Sequence, residues 1–283
     1  VKIHTKWILI TILAVIVLSP DSILVRLADS NSWTLVFWRG IGFGTGVLLY
    51  LVAMNGTRVV DEFTKIGFVG LLVAFFFGIN SVTFVLALEF TSIANTLIII
   101  SSAPIITAII AWFVLQERVS LLTMAAMLIV FLSIYLVMYE NFGSINIKGD
   151  LLALSTAIFM SISFILIRKY KAISMVPAMS VGGFVSAILA LQFAPSLFVS
   201  SGAVWYVVAM CLLVTVSFTL ITIAPRYVPA AEVGMIMPLE TVLASLFGWI
   251  VINEVPSNNA IAGGAIVIFT LIIHSWYIAK NET

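Results

Sequence analysis

The sequence predicts an all-α polytopic membrane protein: ten transmembrane helices arranged as two inverted five-helix repeats. Three observations carry this reading. The chain is 63% hydrophobic and only 9% charged, against about 25% charged residues in soluble domains, and its mean hydropathy is +1.24. Ten apolar stretches cover almost all of the 283 residues, each near the roughly 20 residues a helix needs to cross hydrocarbon. The second half also replays the first: at an offset of 137, Ala94/Ala231, Trp112/Trp249, Val114/Val251, Glu117/Glu254, Ser120/Ser257, Ala125/Ala262, Ile129/Ile266 and Val130/Val267 are identical pairs. An odd number of spans per copy requires the copies to enter the membrane from opposite sides, the construction of an alternating-access transporter. Only helices or closed barrels satisfy their backbone inside hydrocarbon, and these runs lack the alternation of barrel strands.

Apolar windows bounded by charges and turn residues place the spans at 7–27, 34–54, 66–88, 91–115, 119–139, 149–169, 177–194, 203–223, 229–252 and 257–278. The first follows Lys2 and Lys6 but runs on through Ser19, Pro20 and Asp21 with no small-x-small cleavage pattern, so it is expected to be a retained span. The stretch 140–149 (ENFGSINIKG) separates two repeats, expected at 1–143 and 144–283. Ser19–Arg26 (SPDSILVR) lies over Ser161–Arg168 (SISFILIR), extending the repeat to the early spans. With the N-terminus inside, Lys2, Lys6, Arg58, Lys65, Arg118, Arg168, Lys169, Lys171, Arg226 and Lys280 face the cytoplasm, and only Arg26 and Lys148 lie outside. That bias predicts cytoplasmic N- and C-termini and a multi-pass protein of the cell inner membrane.

Short loops leave no room for a soluble domain, so any function sits between the helices. Glu240 lies eleven residues into the ninth span, roughly 16 Å from its start at 1.5 Å per residue, close to mid-membrane. An ionisable group there is a functional candidate, for a substrate ammonium or a proton; the alternative is a packing pin held by neighbouring helices. Pro238 cannot bond back to Gly234, which is expected to free that carbonyl beside Glu240. Arg39, inside the second span, could grip a substrate carboxylate, and pairing with Asp21 at similar depth in the first span is the simpler expectation. Phe76, Asn80 and Phe84 recur every four residues on the third span, as do Ser155, Phe159 and Ser163 on the sixth, and are read as cavity-lining faces. Gly40, Gly42, Gly44 and Gly46 give the second span two small-xxx-small rows, suited to close or sliding contact. Asn95, Ser101, Ser102 and Pro104 make the fourth span polar and kinked, with Pro104 opposite Thr241 in the repeat. Trp112, Trp249, Trp276 and Tyr277 suit interfacial anchoring, Glu117 and Glu254 sit just past span ends, and Cys211 reads as packing.

Several classes are excluded on motif grounds. There is no GxxxxGK[ST] phosphate loop, no HExxH or Cys/His cluster and no nucleophile-and-base pair. No enzymatic activity, catalytic residue, cofactor or metal is therefore expected. The expected partners are a small-molecule substrate and membrane lipid, with no nucleic acid, and a complete internal repeat allows a working monomer.

An aromatic-Arg-Gly run opens the second span (Phe37, Trp38, Arg39, Gly40). Small residues followed by a proline enter the fourth and ninth spans, and Leu115-Gln116-Glu117-Arg118 is answered by Ile252-Asn253-Glu254. In these features and their order the chain resembles the drug/metabolite transporter superfamily, EamA type, over essentially its whole length. Within it, overall sequence and length are most similar to YddG-type exporters of aromatic amino acids. The resemblance implies a secondary transporter exporting aromatic and other small amino acids, with related amphipathic compounds, by alternating access. The ninth-span entry Val228-Pro229-Ala230-Ala231-Glu232 departs from Thr91-Ser92-Ile93-Ala94-Asn95, so the two halves need not form one symmetric site. The transport alternatives are an exporter or antiporter of another metabolite or drug on the same fold and, less favoured, a nucleotide-sugar or sugar-phosphate antiporter, because di-anionic cargo asks for several buried cations and Arg39 is the one basic residue set back from the span ends. A membrane scaffold or lipid-handling protein is the non-transport alternative.

Overall fold

The computed structural model of the chain describes residues 3–91, 93–117, 120–138, 146–252 and 258–281. Lys2, Arg118, Glu254 and most of the 140–149 linker lie outside the described residues, as do the side chains of Asn95, Trp249 and Lys280. Among the described residues the regular structure is helical throughout, with no strand.

Ten spans follow one another. The first is α1 (Ile3–Leu18) with α2 (Asp21–Leu27), and the second is α3 (Ser32–Asn55). A short connecting helix, α4 (Val59–Lys65), precedes the third span, α5 (Gly67–Phe90). The fourth is split into α6 (Ile93–Ile100) and α7 (Ala103–Leu115), and the fifth is α8 (Leu121–Met138). The sixth to eighth are α9 (Ile147–Lys169), α10 (Val176–Leu191) and α11 (Val204–Ile223). The ninth is split into α12 (Ala230–Ile236) and α13 (Leu239–Ile252), and α14 (Asn258–Asn281) is the tenth. Ile3–Leu27, Ser32–Lys65, Gly67–Phe90, Ile147–Lys169 and Val204–Arg226 are each long and apolar enough to cross a membrane, while Ala103–Leu115, Leu121–Ser133, Val176–Leu191 and Ile261–His274 are apolar but shorter. Outward-facing Leu13, Phe68 and Phe269 are 56%, 73% and 64% exposed, a surface suited to lipid and not to water. The connection through α4 turns at Gly56 and Gly67, both at positive φ (55° and 54°), where a residue with a Cβ would be strained.

Helix breaks occur where the backbone loses a donor. Pro20 interrupts the first span; the sixth span carries Ile162 at the matching place in the repeat and runs unbroken through α9. In the ninth span Pro238 separates α12 from α13, but the carbonyl expected to be freed at Gly234 is taken. Met237 donates to it at 3.1 Å in a tightened turn, so Pro238 breaks the helix without leaving that acceptor open. Pro104 sits in the first turn of α7, where its missing N–H costs nothing, and its backbone packs against Gly234 of α12.

The two glycine rows of α3 serve two neighbours. A Cβ at Gly40 would fall 2.5 Å from the Gly183 carbonyl oxygen of α10, whereas one at Gly42 would fall 2.3 Å from Cys211 Sγ of α11. Gly44 and Gly46 repeat this division, meeting α10 and α11 one turn on. Close backbone approach is also fixed by hydrogen bonding: Ser180 Oγ donates to the Gly44 carbonyl at 2.7 Å. The contact pattern survives exchange of the halves. Span two packs on seven and five on ten, and the pairing of three with six is matched by that of eight with one.

Candidate functional site

The three broken spans meet at one place. Leu18 and Asp21 flank the break in the first, Ile100 and Ser101 that in the fourth, and Met237, Pro238, Glu240 and Thr241 that in the ninth; all line a single chamber. Spans two, three, six and eight complete the wall with Arg39 and Phe43, with Phe77, Asn80, Ser81 and Phe84, with Thr156 and Met160, and with Val214 and Phe218. The breaks of the fourth and ninth spans touch through Ser101 Oγ and Thr241 Oγ1, 3.3 Å apart.

Arg39 and Asp21 form an ion pair at 2.6 Å with side chains only 5% and 1% exposed. Arg39 Nη1 donates to Ser81 Oγ at 3.3 Å, and the guanidinium carbon lies 5.2 Å from the Phe84 ring centroid, within cation–π range. Glu240 is buried on the same wall, and its side chain makes no hydrogen bond or ion pair among the described residues. The chamber thus holds two carboxyl groups and one guanidinium, and the carboxyl group of Glu240 is left without an ionic partner.

The third-span face is rotated from the expected one. Phe77, Asn80, Ser81 and Phe84 face the chamber, and Phe76 does not. At about 100° per residue, Phe77 lies about 20° from Phe84 around the helix and Phe76 about 80°, so the four-residue spacing drifts off the wall within two steps. Phe76 instead stacks on Phe159 of α9, centroids 5.9 Å apart, both half-buried. On the sixth span Thr156 and Met160 take the places expected of Ser155 and Phe159. Asn80 ties the two helices together, donating from Nδ2 to the Thr156 carbonyl at 2.8 Å, while Thr156 Oγ1 donates to Thr83 Oγ1 at 2.7 Å.

Ser163 lies in a second, smaller cavity with Phe164, Ile167, Met179 and Thr222. Its hydroxyl donates to the Phe159 carbonyl at 2.9 Å. In the repeat alignment Ser163 occupies the place of Asp21, so matching positions serve two cavities separated by shared residues: Phe77, Asn80, Met160 and Phe218. Phe43, Phe77 and Phe218 interlock there, with centroids 5.1 Å apart for Phe43–Phe77 and Phe77–Phe218. Position along the third span could have exposed Phe77 from sequence. Nothing in the sequence distinguishes Phe43 or Phe218 among the 20 phenylalanines.

The volumes are about 40 Å³ for the chamber and about 10 Å³ for its neighbour. At about 10–15 Å³ per water the chamber accommodates about three waters and no amino acid. A far larger cleft, about 640 Å³, opens between α7 and α8, but Ile105, Ile109, Trp112, Met124 and Leu128 line it without a charged group to orient a solute. We assign the candidate site to the chamber on chemistry and not on size. Among the described residues no group of His, Cys, Asp and Glu could hold a metal ion.

At the end of the bundle where the chain begins, His4 Nε2 lies 3.1 Å from Glu232 Oε2, Trp7 stacks on Tyr227 at 4.8 Å, and Arg168 pairs with Glu117 at 2.8 Å. These contacts tie the first span to the ninth and the sixth to the fourth.

The comparisons with known proteins agree with this architecture. The model of the EamA-like transporter family matches the chain twice, over residues 5–139 and 147–276. An uncharacterized transporter of Archaeoglobus fulgidus is 26% identical over 242 residues, covering 83% of this chain and 75% of that protein. A crystal structure aligns with a TM-score of 0.81 over 97% of this chain and 99% of its own, at 16% identity, a likeness of fold alone. Two family matches, one over each five-span half, account for nearly the whole sequence, and the chain belongs to the EamA-like transporter family.

Proposed function

We propose that this protein is a secondary transporter that exports amino acids, aromatic ones included, and related amphipathic compounds across the inner membrane. The observation that carries the reading is the chamber at the meeting of three broken spans, where Glu240 faces the cavity without a partner beside the Asp21–Arg39 pair. Discontinuous helices near the midplane are the usual seat of substrate in transporters built from repeats. A substrate ammonium would pair with Glu240, and Phe43, Phe77, Phe84 and Phe218 would hold the body of the molecule. The two halves lie inverted, with N- and C-termini in the cytoplasm, and work as a monomer. A volume of about 40 Å³ fits a closed stage of the cycle. Rocking of the halves would part the Phe43–Phe77–Phe218 partition on one side, or the wall near Asp21 on the other.

Labelled amino acid uptake into proteoliposomes tests this directly. Glu240→Gln is expected to lower the rate at least tenfold while the protein stays monodisperse, and wild-type rates in that variant would remove Glu240 from the mechanism. Tags on the two chain ends should appear on the same face of the membrane; opposite faces would contradict the inverted arrangement.

A further inference from the structure

Resting on the reading of the chamber as the substrate site, we infer that it is built for an occupant of net charge +1: an organic amine whose carboxylate is absent or masked, in preference to a zwitterionic amino acid. The charge balance carries the inference. Asp21 and Arg39 neutralise each other at 2.6 Å, which leaves Glu240 as the acidic side chain of the lining with no opposite charge of its own. A monocation that pairs with ionised Glu240 brings the enclosed charge to zero, whereas a zwitterion that pairs with it leaves −1 in a region where unpaired charge is expensive.

A substrate carboxylate also finds no uncompensated cation. Among the described residues Arg39 is the one basic side chain of the lining. Its Nη2 is held by Asp21 and its Nη1 by Ser81. Its Nε is buried and without a partner, and the N–H groups left over on Nη1 and Nη2 belong to a guanidinium whose charge Asp21 already balances. A substrate carboxylate would therefore share Arg39 with Asp21 and add a second negative charge to a pair that is already neutral, beside Glu240. The rest of the wall suits a cation: Phe43, Phe77, Phe84 and Phe218 line it, and Phe84 already lies against a guanidinium.

The test compares compounds that differ only in the carboxylate. Phenethylamine and phenylalanine, then tryptamine and tryptophan, are titrated calorimetrically into the purified full-length protein, with phenyltrimethylammonium as a probe that cannot lose its charge. Each amine is expected to bind at least tenfold tighter than its parent amino acid, and phenyltrimethylammonium to bind like the amines. In Glu240→Gln the amine affinity should fall at least tenfold while phenylalanine changes less than twofold. Equal or tighter binding of the amino acids to the wild type overturns the inference; if that binding still depends on Glu240, the chamber stands as the substrate site. An amine preference that persists in Glu240→Gln overturns the role given to Glu240. Absence of binding by all five compounds to folded wild-type protein counts against both the inference and the site. The wild-type comparison decides the matter even where the variant does not fold.

Discussion

Replacing either member of the Asp21–Arg39 pair should have unequal consequences, because Glu240 shares their chamber. Removing one partner of a buried ion pair costs about 3–5 kcal/mol, since the other is left uncompensated. Arg39→Gln leaves Asp21, 1% exposed, and Glu240 facing one cavity with no cation among the lining residues; the upper end, about 4–5 kcal/mol, is expected. Asp21→Asn leaves Arg39 with Ser81 Oγ, the face of Phe84 and Glu240 as a replacement counter-ion. A cation–π contact of about 0.5–2 kcal/mol and the remaining charge pairing reduce the expected cost to about 1–2 kcal/mol. Equilibrium unfolding in mixed micelles, followed by helix content, measures both. The double variant Asp21→Asn/Glu240→Gln strands Arg39 and should return to about 3–5 kcal/mol. If Asp21→Asn costs as much as Arg39→Gln, or the double variant is no worse than Asp21→Asn, Glu240 does not act on Arg39 and the shared-charge argument fails.

Three further outcomes follow from the packing. Gly40→Val should destabilise by at least about 1–3 kcal/mol, because even its Cβ falls 2.5 Å from the Gly183 carbonyl oxygen; a neutral result in the same unfolding assay would show that α3 and α10 can separate freely. Phe77→Ala removes the ring shared by both cavities and should cost about 3–5 kcal/mol, with an increased passive leak of small solutes from proteoliposomes; an unchanged leak would mean that the three-ring cluster is not the partition. Glu117→Gln should cost less than about 1 kcal/mol because its carboxylate is one-third exposed. Arg168→Ala should cost more, because Arg168 also holds the Pro225 carbonyl at 3.3 Å; equal costs would confine Arg168 to the surface pair.

How far the site could be read in advance varied with the kind of constraint. Asp21 and Arg39 were legible because an intramembrane charge must find an opposite charge at similar depth, and Glu240 because a mid-span carboxylate is costly wherever it points. The phenylalanines were not. A lipid-facing ring and a chamber-facing ring cost the same in an apolar solvent, so composition cannot separate Phe76 from Phe77; the helix phase decides, and a rotation of about 100° moves a residue from wall to exterior. The freed carbonyl at Gly234 failed as an expectation for a different reason. A helix can tighten to an i−3 turn and reuse the acceptor locally, and this choice is invisible in the residue types.

By itself the sequence determined an all-helical membrane protein with two copies of five spans, the break at Pro238, and which charges must be reckoned with, because each follows from transfer to hydrocarbon or from a missing backbone donor. Only the tertiary structure decided that the three breaks converge, one of them at Pro20, that the glycine rows of α3 divide between α10 and α11, and that Glu240 is left facing the same cavity as the Asp21–Arg39 pair. Those outcomes depend on helix rotation and on which neighbours arrive at contact distance, quantities that packing fixes only when all ten spans are assembled.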